Sequence, residues 1–263
     1  MDKGVKQSIR MRVNPKPWDF SYLITKENAK TFSYALKYLE KKQQLKIIEL
    51  GCGYKAFLYI FLEDKLNDFE YIGVDFSREK SSADILLDLN EDSLPYEDNT
   101  FDLVIMSEVL EHLYNPLHSL KEAVRVCKEG GLFYISTPFV FPYHGTPHDY
   151  FRYTEFFYIH ISKLFNLEII LCRKACSFFS TPFLTVAILI NIIFEKLNLD
   201  FLSPLFLTPI NTLAVMLDKI TLGLIKIFKL RDIESRIQFM NAGISLIFLK
   251  RKNKNSNEIL AKA

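Results

Sequence analysis

Ile47-Ile48-Glu49-Leu50-Gly51-Cys52-Gly53 carries a short apolar strand, Leu45–Leu50, straight into a turn built on two glycines. Glycine tolerates positive φ and lets a ligand approach the backbone closely. Further apolar runs read as strands: Tyr71–Val74 closing on Asp75, Ile85–Leu87 closing on Asp88, Leu103–Met106, Leu132–Ile135, Leu167–Cys172 and Ala242–Phe248. Helices are predicted over 19–42, over 55–65, from Asn115-Pro116 to the Gly130-Gly131 pair, and from Thr154 to about 165. Asn115 is placed as an N-cap with Pro116 in the first turn, and Leu117, Leu120, Val124 and Cys127 recur at helical spacing. This alternation predicts an α/β fold: a doubly wound, mostly parallel seven-stranded sheet, with an apolar helical insertion between the last two strands.

In such sheets a ligand binds beyond the carboxyl ends of the strands. Those ends carry Glu49, Asp75, Asp88, Ser107 and Thr137. Gly51, Gly53 and Ala56, with Asp75 downstream, also fit the dinucleotide pattern, so an NAD-dependent oxidoreductase is one reading. Glu49 weighs against it. A carboxylate two residues before the first glycine repels a pyrophosphate but suits a ligand bearing an ammonium and a sulfonium.

Beyond the loop, Gly73-Val-Asp75, Leu94-Pro-Tyr-Glu-Asp-Asn-Thr-Phe-Asp102, Ser107-Glu-Val-Leu-Glu-His112, Asn115-Pro116 and Glu129-Gly-Gly131 follow in order. Together with Glu49-Leu-Gly-Cys-Gly53, this text resembles the class I (Rossmann-like) S-adenosylmethionine-dependent methyltransferases, type 11-like, over roughly residues 20–172 and the last strand. The resemblance implies S-adenosyl-L-methionine as cofactor. It places Glu49, Gly51 and Gly53 at the methionine end, Asp75 on the ribose hydroxyls, and Phe76 against the adenine. Asp88 and Leu89 then meet the adenine edge, and Ser107 and Glu108 lie beside the reacting sulfur. Lys55 stands where many members have a third glycine, which keeps open a non-catalytic, membrane-bound module of the same fold.

Thr137 to Tyr153 is both polar and aromatic, and in this fold it lies over the emerging methyl group. His148 and Asp149 are the candidate base and orienting acid. Tyr143, His144, Tyr150 and Arg152 are candidate acceptor-binding residues. The alternative is an Asp149–Arg152 pair with His148 capping the loop. A similar His-Asp-Tyr-x-Arg-Tyr segment occurs in methyltransferases encoded with surface-polysaccharide genes, which points to a glycan acceptor. His112 reads as a packed residue at the start of a helix, and His118 and His160 as surface positions. No metal-ligand spacing is visible, and the expected metal content is none.

Ala175–Phe194 is twenty residues without a charge and Phe201–Leu217 seventeen more, a length at which membrane insertion comes into question. Pro204 and Pro209 are expected to disturb the second helix, so the stretch reads as a hairpin that dips into a membrane rather than crossing it. A helical lid on the sheet or a dimer face is the rival. The whole 263-residue chain divides into a basic N-terminal arm (1–18), a methyltransferase domain (19–174 with 240–250), the apolar insertion (175–239) and a polar tail (251–263). The net charge of +2 argues for no nucleic-acid partner. The four cysteines form no CxxC pair and read as reduced, with a cytoplasmic, membrane-associated location. The partner expected is a small-molecule or lipid-linked acceptor at a membrane surface.

Overall fold

The computed structural model describes residues 14–54, 62, 65–79, 81–177, 179–228 and 241–252. Seven strands form one sheet: β1 (Leu45–Leu50), β2 (Phe69–Asp75), β3 (Ile85–Leu86), β4 (Phe101–Ser107), β5 (Cys127–Pro138), β6 (Leu167–Ala175) and β7 (Gly243–Lys250). Their order is β3-β2-β1-β4-β5-β7-β6. The pairs from β3 to β5 are parallel, and β7 runs antiparallel between β5 and β6. The order reverses at β1 and β4, so their carboxyl ends flank the crevice where such sheets take ligands.

Helices α1 (Tyr22–Leu39), α2 (Pro116–Val126) and α3 (Glu155–Leu164) cover the sheet. Phe32, Ala35, Leu36 and Leu39 of α1 pack one face, against Ile47, Leu103, Ile105, Tyr134 and Ile247. Leu120, Ala123 and Val124 of α2, with Tyr158 and Ile161 of α3, pack the other, against Ile48, Leu50, Val104, Met106, Ile135 and Phe248. Cover on both faces explains why the central strands read as continuous apolar runs rather than alternating ones. Arg125 ties α2 to the segment before β4: its guanidinium donates to the Tyr96 carbonyl at 2.7 Å, the Leu94 carbonyl at 2.9 Å and the Glu122 carboxylate at 2.8 and 2.9 Å.

Several boundaries differ from the sequence reading. Cys127 does not extend α2; it opens β5, and Gly130-Gly131 lie within that strand. Phe101 faces Cys127 while Leu103 faces Leu132, so residues 128–131 form a bulge, with Gly130 at φ +75°. Leu117 is exposed on α2. Asn115 sits at the N-cap position without capping, because its side chain donates to the Asn90 carbonyl instead. Most of the helix expected over 55–65, Lys55 with it, and most of the basic arm lie outside the described residues.

Between β6 and β7 the chain forms a helical hairpin, α4 (Thr181–Leu197) and α5 (Ser203–Ile227), turned by Asn198 in the left-handed conformation. Pro204 and Pro209 do not divide α5. Pro204 falls in the first turn, where no N–H is needed, and the helix runs on through Pro209 for 25 residues in all. Leu184 and Ile188 of α4 and Ala214 of α5 pack on Leu23, Ile24, Ala175 and Ala242. Two polar side chains of α5, Asn211 and Asp218, point inward. Asn211 Nδ2 donates to the Pro17 and Asp19 carbonyls, and Asp218 accepts from the Ser177 and Ser180 hydroxyls. The outer face is mostly apolar, with Leu189, Phe201, Leu205 and Ile227 between 56% and 74% exposed, and Lys219 exposed among them. By length and composition, the helical stretch Asp200–Ile225 is sufficient to cross a membrane.

Candidate active site

A cleft of about 530 Å³ opens at the carboxyl ends of β1, β2 and β4. Gly51, Asp75, Phe76, Asp88 and Leu89 line one end, with Glu108 and Val109 beside them. His112, Leu113, Tyr114, Gly145 to His148 and Tyr150 line the other.

Gly51 occupies φ +74°, and a Cβ there would meet Val109 Cγ2 at 2.4 Å. Glycine is therefore required twice over, by the backbone and by the segment after β4 that packs on it. Asp75 is nearly buried, and its carboxylate is fixed by two backbone donors: Gly53 N–H to Oδ2 and Phe76 N–H to Oδ1, both at 2.8 Å. Each oxygen keeps acceptor capacity for a ligand hydroxyl. Phe76 stands 68% exposed at the cleft wall. Asp88 organises its own turn, Oδ1 accepting from Asn90 N and Nδ2 at 2.9 Å, and Leu89 is buried beside it.

Glu108 adopts φ +55°, uncommon for a residue with a Cβ, immediately past the end of β4. Its N–H donates to the Ser136 carbonyl at 2.9 Å, and Asn28 Nδ2 of α1 donates to its Oε1 at 3.1 Å. Glu49 and Ser107 stand behind the described wall rather than in it. Glu49 is 2% exposed and accepts the Tyr71 hydroxyl. Burial, reinforced by that carboxylate, drives the Tyr71 pKa far above its ordinary value, so Tyr71 remains a donor. Ser107 Oγ lies 3.0 Å from Ser136 Oγ.

The loop after β5 separates the two expected catalytic residues. His148 lines the cleft, its Nδ1 3.1 Å from the Tyr150 hydroxyl. Asp149 turns away from it. Arg152 donates to both Asp149 oxygens, and His144 N–H reaches Oδ2 at 3.0 Å. The Arg152 guanidinium holds the Asp149 carboxyl well below the usual carboxylate range. The Asp149–Arg152 pair is thus the arrangement present, and Asp149 does not orient His148. Tyr150 reaches the cleft; Tyr143, 87% exposed, together with His144 and Arg152, lies outside its lining.

Sequence reasoning missed Asn28, His112, Leu113, Tyr114 and Gly145. Far from being a residue packed at a helix start, His112 ends the 3₁₀ turn Leu110–His112 and faces the cleft. The legible signal was the segment itself, since Ser107 to His112 follows the strand that ends at the crevice.

A family model described as a methyltransferase domain matches residues 22–170, more than half of the chain, and the chain belongs to that family. An uncharacterized methyltransferase of Schizosaccharomyces pombe is 32% identical over 123 residues, covering 38% of this chain and 41% of that one. A demethylmenaquinone methyltransferase of Bacillus cereus is 30% identical over 108 residues, covering 36% and 46%. The chain spans less than half the length of these relatives. Among solved structures, the [4+2]-cyclase SpnF superposes with a TM-score of 0.54 at 15% identity, covering 85% of this chain and 80% of that one. A candidate sarcosine dimethylglycine methyltransferase from Galdieria sulphuraria gives 0.52 at 14%, covering 87% and 85%. These two likenesses show the Rossmann-like fold.

Proposed function

We propose that this protein is an S-adenosylmethionine-dependent methyltransferase that methylates an oxygen of an apolar or lipid-linked acceptor, such as a glycan, at the cytoplasmic face of a membrane. The observation that carries the cofactor is the charge of the cleft. Asp75, Asp88 and Glu108 line it, and among the described lining residues there is no lysine or arginine. That field favours a cationic ligand and disfavours a dinucleotide pyrophosphate.

When bound, S-adenosylmethionine supplies a methyl group on a sulfonium, open to in-line displacement. Asp75 takes the ribose hydroxyls with the acceptor positions its backbone donors leave free. Phe76 flanks the adenine, and Asp88 and Leu89 meet its edge. Gly51 and Gly53 let the backbone approach the methionine end, where Glu108 faces the cleft and Glu49 and Ser107 support the strand ends from behind. Fixing the reactants in line is the larger part of such catalysis. On the acceptor side, His148 takes the proton of an acceptor hydroxyl, and Asp149 shapes the loop through Arg152 and the His144 N–H. Tyr143, His144, Tyr150 and Arg152 form the acceptor's approach. The outward apolar face of the hairpin supports a membrane-borne acceptor, because a surface of that extent is unusual on a protein that meets only water.

Binding calorimetry with S-adenosylmethionine and NAD tests the reading. Saturable binding of the first and none of the second is expected. Absence of S-adenosylmethionine binding points to a non-catalytic module and overturns the proposal, as does tighter binding of NAD.

A further inference from the structure

We propose that Glu111, His112 and His144 form a binding site for a divalent first-row transition-metal ion at the acceptor end of the cleft. The Glu111 side chain is wholly buried, and neither carboxylate oxygen has a hydrogen-bond partner among the described residues. Two imidazole nitrogens face it instead: His112 Nε2 at 3.7 Å and His144 Nε2 at 3.5 Å from Oε1.

The other nitrogen of each ring is already used. His112 Nδ1 lies 2.6 Å from the His148 carbonyl, and His144 Nδ1 lies 3.2 Å from the Pro142 carbonyl. A carbonyl only accepts, so Nδ1 carries the proton in both rings, and whenever a ring is neutral its Nε2 lone pair faces the carboxylate. Two lone pairs around a buried anion repel it, whereas a cation among the three converts the same geometry into three bonds. Fixing a metal-bound imidazole by a backbone acceptor on its far nitrogen is the usual supporting arrangement.

A proton on His144 Nε2 is the alternative source of positive charge, and the Glu111 carboxylate does raise the pKa of that imidazole. It leaves His112 still facing the same anion. Arg152 does not fill the role either, since it is held by both oxygens of Asp149.

An ion with ligands about 2.0–2.1 Å away in a tetrahedral arrangement sets neighbouring ligand atoms about 3.4 Å apart. Glu111 Oε1 already lies 3.5 and 3.7 Å from the two Nε2 atoms, and all three ligand atoms lie within 4.8 Å of one another, so the two rings need only close in slightly around an ion. Gly145 makes the approach possible: at φ +64°, a Cβ there would stand 2.8 Å from His112 Cε1 and press the loop carrying His144 away. Two imidazoles and one carboxylate favour zinc-like ions over Mg²⁺ or Ca²⁺, which prefer oxygen. His112 is also a cleft residue beside His148 and Tyr150. Through His112 an ion there would border the acceptor end of the cleft, and an acceptor hydroxyl coordinated to it would be acidified. That role rests on the methyl-transfer reading; the binding itself does not.

Calorimetry of the full chain with Zn²⁺, and separately with Mg²⁺, tests the site apart from activity. One Zn²⁺ per chain is expected, bound far more tightly than Mg²⁺. Glu111→Gln, His112→Ala and His144→Ala should each weaken Zn²⁺ by at least about 100-fold, and His160→Ala, on the exposed side of α3, should leave it unchanged. If Glu111→Gln does not fold, His144→Ala decides, because its side chain is partly exposed on a loop. Failure of the wild type to bind Zn²⁺ overturns the proposal. So does affinity retained in both histidine variants, which would locate the ion elsewhere, or Mg²⁺ bound as tightly as Zn²⁺. Zn²⁺ binding in a chain that does not bind S-adenosylmethionine would uphold this site while the methyl-transfer reading fails.

Discussion

Gly53 donates its backbone N–H to Asp75 Oδ2 at 2.8 Å, so the turn after β1 and the end of β2 are joined beside the cleft. The bond aims the carboxylate before any ligand arrives. Asp75→Ala is expected to remove cofactor binding while the fold survives, since the released N–H groups belong to Phe76, at the cleft wall, and Gly53, which is only partly buried. Each charge-assisted hydrogen bond lost to a ribose hydroxyl is worth about 1.5–3 kcal/mol. Unchanged calorimetric affinity for S-adenosylmethionine would remove Asp75 from the site.

Gly51→Ala should be nearly as damaging by a different route. The new methyl group meets the stiff Val109 side chain at 2.4 Å, and φ +74° is strained for alanine. The segment carrying Glu108 must then shift. Cofactor affinity should fall about 10-fold or more, and Gly51→Ala with Val109→Ala should recover only part of it, because the backbone strain remains. Full recovery in the double variant would show that the contact alone mattered.

His148→Ala is expected to lower turnover by about 10²–10⁴-fold with little change in cofactor affinity, the usual effect of losing a general base. Asp149→Asn should instead act through the loop, loosening Arg152 and the His144 N–H that Asp149 now holds. Normal turnover in the His148 variant would make that residue structural.

Arg125→Ala should destabilise the fold by about 2 kcal/mol or more, since it frees the Leu94 and Tyr96 carbonyls and the Glu122 carboxylate together. Arg125 holds the Glu122 pKa below its ordinary value. A carboxylate depressed on folding contributes stability that is complete above its unfolded pKa, about 4.3, and is lost as the pH falls through the lower folded value. Glu122→Gln should therefore flatten part of the acid limb of a melting-temperature profile. An acid limb identical to the wild type would show that other groups set it.

The succession of strands along the chain and the polar residues at their ends were legible because both depend on local pattern: apolar runs, glycine turns, and carboxylates just past the strands. The boundaries that moved did so for tertiary reasons. Cys127 fits a helical period, yet pairing with Phe101 draws it into β5. Asn115 has the chemistry of a cap but finds Asn90 first. His148 and Asp149 are adjacent in sequence, but the Arg152 fork outcompetes the imidazole for the acid. The cluster of Glu111, His112 and His144 was hidden because its members come from two separate segments, joined only when the loop after β5 folds onto the 3₁₀ turn.

The hairpin carries the last prediction, which is that the protein sediments with membranes and that the hairpin dips into the bilayer without crossing it. At about 1.5 Å per residue, the 17 residues of α4 span about 26 Å and the 25 residues of α5 about 38 Å. The hydrocarbon layer is about 30 Å thick, so α5 is long enough and α4 falls short. The hydrogen bonds weigh further against crossing. Asn211, near the middle of α5, is bound to the Pro17 and Asp19 carbonyls, and Asp218, two turns on, holds Ser177 and Ser180. A crossing α5 would have to break these contacts or take the body of the protein into the bilayer with it. Lying along the surface, the hairpin keeps them and still buries Phe201, Leu205 and Ile227 in lipid. Phe201→Glu with Leu205→Glu should therefore move the protein to the soluble fraction while S-adenosylmethionine affinity is unchanged. Recovery of the wild type in the soluble fraction without detergent would defeat the membrane reading. A cysteine placed in the 195–200 turn and labelled only from the far side of the membrane would show full crossing and defeat the surface hairpin.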